Sequence, residues 1–323
     1  MKTNKKQAIV IAAIGIVVFM IAFMGIMLTR NVGKSAKTVS TESAVSAIEK
    51  YMKKIAPRQA EIVKSPVELA ALEVDELPDI DTNPVTVEPV TSLYAEIFST
   101  SEKCGPGKDG WLNEVAEAFN KSGFEIDGQP VSVMIRNVAS GLGMDYIRSG
   151  KYIPDGYTPS NDFWGKMLLS DGVGMEVIQE TLAENTAGIL LSKETQKKLV
   201  EKYGSINLKT IVNATAEGEF AMGYTNPYAS ATGLNFLIST LQTYSANDPL
   251  NQEAVEGFQS FQANVPFVAY TTLQMRDAAE TGTLDGFVME YQTYINDGEL
   301  ARKYEFTPFG FVHTNPLYTL KEI

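Results

Sequence analysis

The longest unbroken hydrophobic pattern stands at the start of the chain. Residues 8–28 form a run of 21 uncharged, mostly apolar positions. As a helix this run would span about 31 Å, enough for a bilayer core. Lys2, Lys5 and Lys6 precede it and Arg30, Lys34 and Lys37 follow it, so the flanking charge sets no orientation. The run fits either a cleaved signal peptide or an uncleaved signal anchor. Its length and the lack of a clear small-residue cleavage site favour the anchor, and no Cys lies nearby for lipid attachment. On both readings the remainder is expected outside the cytoplasm. With the anchor retained, a single pass through the cell membrane holds it there.

Beyond the run the pattern changes twice. In residues 41–55 the apolar positions Val45, Ile48, Met52 and Ile55 fall three or four apart, the spacing of a short amphipathic helix. From about Ala56 to Thr91 that periodicity is lost. Prolines stand at 57, 66, 78, 84 and 89, with an acidic patch from Glu73 to Asp81. This stretch reads as a linker, either extended and mobile or laid along the next domain. Regular alternation begins near Val90. Residues 93–98 predict a strand. Residues 109–121 predict a helix with Trp111, Leu112, Val115, Ala118 and Phe119 on one face. Residues 131–136 predict a second strand, and a short helical stretch ends at Gly150. Farther on, 219–224 predicts a strand, then comes a polar turn, then a helix marked by Leu234, Leu237, Ile238 and Leu241. Strand, loop and helix keep alternating, which predicts α/β architecture with largely parallel sheets. About 230 residues of this suit two lobes better than one sheet.

Charge narrows the partners. The first 37 residues hold 6 of the 27 Lys and Arg and none of the 39 Asp and Glu, leaving 21 basic against 39 acidic residues beyond them, a net charge of −18. No basic run is present to neutralise phosphates, which argues against nucleic acid and against wide contact with anionic headgroups. The single cysteine, Cys104, permits no internal disulfide. It sits in a loop-like stretch, 102–108, and reads as an ordinary loop cysteine rather than a reactive thiol. His313 is the only histidine, so a His-rich metal site is not expected, nor is a cofactor. A Ser–His–Asp triad would need His313, and no G-x-S-x-G elbow appears. Residues 105–109 lack the spacing and the hydroxyl residue of a phosphate loop. No catalysis is expected.

What the pattern leaves is a set of hydroxyl-rich turns, each at the end of a predicted strand. They are Ser99-Thr100-Ser101, Ala139-Ser140-Gly141, the stretch from Asp155 through Ser160 and Asn161, and the stretch from Thr225 to Thr232. The last stands where a helix begins. A helix start offers unpaired N–H groups and a partial positive charge for an anion or polar ligand, while capping by Ser230 or Thr232 is the simpler role. In open α/β sheets ligands bind beyond the carboxyl ends of strands, and two facing lobes would bring four such turns to one cleft.

These pieces resemble the extracytoplasmic solute-binding proteins of the type 2 periplasmic-binding fold that serve ATP-driven importers. The resemblance rests on 97–101, Ser140-Gly141, 154–164, 223–228 and 282–291, in that order, and covers about residues 90–320. It implies a two-lobed, periplasmic-binding-protein-like α/β domain, here preceded by an N-terminal transmembrane helix and linker. The expected division is an anchor with flanks over 1–37, a helix and acidic linker over 38–90, lobe 1 over 91–185 and lobe 2 over 186–286. A return to lobe 1 follows over 287–323, expected to be incomplete because such proteins usually add helices there. Residues 184–191 and 287–291 resemble the two crossings between lobes. The implied role is capture of a small polar solute, with an anionic group favoured, for delivery to a membrane permease or for sensing. Ser99, Ser101, Ser140, Ser160, Asn161, Thr225, Asn226, Ser230 and Thr232 are the expected ligand contacts, with Trp164, Tyr228 and Tyr291 as apolar walls. Core packing is the alternative role for the aromatics. The rival to solute capture is a surface scaffold or partner-recognition domain that has lost its solute.

Overall fold

A computed structural model describes residues 76–320, together with the single residue Ser46. The expected anchor at 8–28 and the rest of the expected helix at 41–55 lie outside the described residues. Among the described residues no helix is long and apolar enough to cross a membrane. The described residues 76–320 belong to one compact unit built on two sheets.

The first sheet holds β1 (Val85–Val87), β2 (Leu93–Ser99), β3 (Glu125–Ile126), β4 (Gln129–Asn137), β5 (Gly156–Thr158), β6 (Met175–Gln179) and, after an excursion through the second sheet, β12 (Leu317–Leu320). Its order is β1-β4-β2-β5-β12-β6, with β3 beside β4. The second sheet holds β7 (Asn185–Ser192), β8 (Met222–Thr225), β9 (Phe267–Ala269), β10 (Gly286–Glu290) and β11 (Tyr304–His313), in the order β11-β7-β10-β8-β9. The helices Trp111–Ser122, Ser140–Ser149 and Phe163–Ser170 go with the first sheet, and Leu208–Ala216, Ala231–Tyr244 and Thr272–Thr281 are among those that go with the second. Each lobe has its own buried core. Phe98, Tyr146, Tyr157, Trp164 and Leu168 anchor the first, and Ile189, Leu191, Met222, Phe236 and Phe261 the second.

Parallel pairing is confined to β4-β2-β5 in the middle of one sheet and to β10-β8-β9, which reaches the edge, in the other. The expectation of largely parallel sheets is thus too broad. Strands that begin or end a crossing between lobes run antiparallel to their neighbours, as β7, β11 and β12 do. The crossings themselves are displaced from the expected places. The first lies just before β7, and the second lies between β11 and β12. Residues 287–290 instead form most of β10 in the middle of the second sheet, and Tyr291 begins the helix Tyr291–Asn296. The chain returns to the first sheet at Leu317, not at 287, because an apolar run such as Phe287-Val288-Met289 looks the same in a sheet centre and at a hinge.

The globular unit also starts earlier than residue 91. Leu77 is buried in the first core, residues 80–82 make a short 3-10 helix, and β1 pairs with β4. Proline before a short edge strand is compatible with pairing on one side only, so Pro84 does not mark a free linker.

Candidate functional site

The carboxyl ends of the central strands meet along a seam between the two sheets. Thr100–Glu102 after β2 and Ala139–Ser140 after β4 face Ala229–Ala231 after β8 and Tyr270–Thr272 after β9 around a cavity of about 20 Å³, room for about one water. The lobes touch here. The Gly141 N–H donates to the Ala229 carbonyl at 2.9 Å, Asn161 Nδ2 to the Ala231 carbonyl at 3.3 Å, and Gln292 Nε2 to the Glu102 carbonyl at 2.7 Å. A Cβ on Gly141 would lie 1.7 Å from the Tyr228 carbonyl oxygen. Only a glycine lets the two backbones approach so closely.

Two buried carboxylates occupy this seam, one from each lobe. Glu102 stands in the short helix Ser101–Cys104. Its Oε1 accepts from Thr100 Oγ1 at 2.6 Å and from Ser160 Oγ. Glu290 ends β10. Its Oε1 accepts from Thr232 Oγ1 at 2.7 Å and lies 3.0 Å from His313 Nδ1, and Asn185 Nδ2 donates to its Oε2 at 2.5 Å. Behind it, His313 Nε2 lies 3.0 Å from Asn235 Nδ2. Both ring nitrogens therefore face the Glu290–Asn235 chain, and neither faces a serine, so no acyl-transfer triad forms on His313. Lys103 is buried beside both carboxylates and donates to Asn315 Oδ1 at 3.1 Å and to Ser160 Oγ at 3.5 Å. Asn315 in turn joins the crossings: its N–H donates to the Ser160 carbonyl, its Nδ2 to the Ala183 carbonyl, and its carbonyl accepts from the Leu182 N–H.

The surroundings drive these groups in different directions. Burial, with the charge of Glu290 added, pushes the Glu102 carboxyl up, outweighing Lys103 and the Thr100 bond. Burial acts on Glu290 as well, but the His313 bond and charge, with Thr232 and Lys103, hold it below the ordinary carboxylate range. Burial pushes Lys103 down against the pull of both carboxylates. Cys104 is buried within the short helix, not in a loop, and burial raises its thiol to about 12, which leaves no reactive thiolate near neutrality.

The predicted site residues divide into three groups. Ser140, Ser160, Asn161, Ser230 and Thr232 are buried at the seam, and Ser101 lines its cavity while donating to Asn137 Oδ1 at 3.1 Å. Ser230 is the N-cap of Ala231–Tyr244, accepting from the Gly233 N–H, so the capping role is filled. Ser99 and Thr225 are buried last residues of their strands, Ser99 beside Cys104 and Thr225 with no partner for its hydroxyl. Asn226 folds its side chain onto the Tyr228 N–H. The aromatics are not walls of a closed site. Trp164 belongs to the first core, while Tyr228 and Tyr291 are 59% and 46% exposed, Tyr291 packing edge-on to Phe306.

Sequence reasoning missed Thr100, Glu102, Lys103, Glu290, His313 and Asn315 as site members. One signal was readable: Glu102-Lys103 directly follows a strand-end turn, and Glu290 closes a wholly buried apolar strand, where a charge requires partners. A larger groove of about 360 Å³, lined in part by Lys108, Asp109, Arg276, Asp297 and Arg302, opens elsewhere on the same seam. Its charges pair with one another, Arg276 with Asp109 at 2.7 Å and Arg302 with Glu299, and none of the predicted turns reaches it. Among the described residues no group of three or more His, Cys, Asp or Glu could hold a metal ion.

No family model matches the chain, and no curated protein matches it. Solved structures do. The substrate-binding protein of the ABC transporter from Agrobacterium tumefaciens is 12% identical with a TM-score of 0.52, over 74% of each chain. A periplasmic thiamin-binding protein is 10% identical with a TM-score of 0.51, over 70% of this chain and 72% of the other. The fold is thus the two-lobed, type 2 fold of periplasmic solute-binding proteins.

Proposed function

We propose that this chain is a binding protein that captures a small polar solute at the seam between its lobes, without catalysing a reaction on it. The observation that carries this reading is the convergence of strand-end turns from both sheets on one buried, hydroxyl-rich place, where open α/β sheets hold their ligands. The fold adds support, since the two similar structures are described as substrate-binding and thiamin-binding proteins. The cavity of about 20 Å³ is too small for a solute, so entry requires the lobes to part. The apolar run at 8–28 supports attachment to the membrane with this domain on the extracytoplasmic side, and delivery to a permease or a sensing role follows from that placement.

A second reading has one observation in its favour. Two of the hydroxyls expected to serve a solute, Ser160 and Thr232, already serve Glu102 and Glu290, which is also what a scaffold that has lost its solute would show. Thermal-shift screening of the full chain against sulfate, phosphate, acetate, glycine, putrescine and glucose separates the two. Solute capture predicts a saturable rise in melting temperature with one class. A well-folded sample that none of them shifts supports the scaffold.

A further inference from the structure

Resting on the solute-capture reading, we infer that the Glu102 carboxylate is a tethered occupant of the solute's place, so the native solute carries a carboxylate or similar oxyanion that must displace it. Three observations point there. The groups that hold Glu102 are donors from two separate strand ends, Thr100 after β2 and Ser160 after β5, with the Lys103 ammonium adjacent. With the Glu102 side chain removed, what remains is a nest of hydroxyl donors and one cation, the chemistry of an anion site. Glu102 also lines the cavity among those turns, as Ser230 does from the other lobe.

An incoming anion meets the same burial and the same Glu290 charge that disfavour the ionised form of Glu102. A free solute differs from the tethered side chain in one respect: it can bond to both lobes at once. It would reach Ser230 and the turn beyond it, which Glu102 does not bond. The competition therefore favours a ligand with an anionic group at one end and polar groups at the other. A cationic solute would instead use Glu102 as a direct partner.

Calorimetric titration of the full chain with acetate and with sulfate tests this, using wild type, Glu102→Ala and the double variant Glu102→Ala, Ser160→Ala. Circular dichroism serves as the folding control, and Ser160→Ala alone provides a second arm if Glu102→Ala folds poorly. The expected result is binding of at least one anion by Glu102→Ala at least tenfold tighter than by wild type, abolished by the added Ser160→Ala. In the second arm, weak wild-type binding falls further in Ser160→Ala. Two outcomes overturn the inference: anion affinity that is unchanged or lost in Glu102→Ala, and anion affinity indifferent to Ser160→Ala. If putrescine or glucose binds wild type while Glu102→Ala gains nothing for anions, solute capture stands and the tethered occupant falls. If nothing binds any variant, both fall.

Discussion

At the residue scale, Glu102 and Glu290 share one seam and respond oppositely to it. The folded-state carboxyl of Glu102 lies above its unfolded value, so the native state holds more protons and stability falls as pH rises above about 4.5. Glu290 lies below its unfolded value, so its contribution is present above about 4.5 and is lost as pH falls through the folded value. Glu102→Gln should therefore be more stable than wild type at pH 7, with the gain fading as pH is lowered toward 4.5. Glu290→Gln should lose about 3 kcal/mol at pH 7, the cost of breaking a buried charged network, and the loss should shrink below 4.5. Urea unfolding at pH 4, 5.5 and 7 checks both. Parallel pH profiles for the two variants would show that the seam does not treat the carboxylates differently.

Such effects were not legible in the sequence. An isolated glutamate within Phe287-Val288-Met289-Glu290 gives no address for its partners, since Asn185, Thr232 and His313 come from three other elements. The turns were legible because Ser, Thr, Asn and Gly at strand ends have local reasons to be there. What those turns hold was not, because that is decided by long-range packing.

At the scale of elements, the helix Ala231–Tyr244 shows how far periodicity reaches. Its cap was expected at Ser230 or Thr232, and Ser230 fills the position. Its apolar pattern is Leu234, Leu237, Ile238 and Leu241, yet Ala231, Thr232, Gly233, Asn235, Phe236, Ser239 and Thr240 are the residues buried with Leu241. Asn235 takes its place there by acting as a strand partner, bonding both the carbonyl and the N–H of Phe311. A polar residue in a core face defeats an apolar template. β2, β4 and the helix Trp111–Ser122 were placed within two residues of their bounds, but the helix buries Ala116 and leaves Val115 and Ala118 of the expected face exposed.

The helix Ser140–Ser149 meets the other lobe through Gly141, and this contact fixes how closely the lobes approach. A Cβ there meets backbone, which cannot rotate away, and overpacking of this kind costs about 1–3 kcal/mol. Gly141→Ala should shift the chain toward a parted arrangement while each lobe stays folded. Spin labels on Val177→Cys in β6 and Val268→Cys in β9, both exposed, report the separation, and buried Cys104 does not compete for label. The label distance should lengthen in Gly141→Ala. An identical distance distribution would mean that the Gly141 contact does not control closure.

At the scale of the whole molecule, two lobes are joined by two crossings along one seam. Asn315 ties the crossings together and receives Lys103 from the first lobe. Its φ of 48° lies in the left-handed region that Asn tolerates better than most residues. The two-lobed α/β plan was readable from strand–helix alternation and length, whereas the exchange of strands between the sheets was not. The central claim, capture of a solute at this seam, is tested most directly by hydrogen exchange of the full chain with and without the ligand class that raises its melting temperature. Solute capture predicts slowed exchange at amides 99–103, 139–141, 158–161 and 225–233 and little change elsewhere. No ligand-dependent protection in those turns, or protection confined to the groove at 106–109 and 296–302, would contradict it.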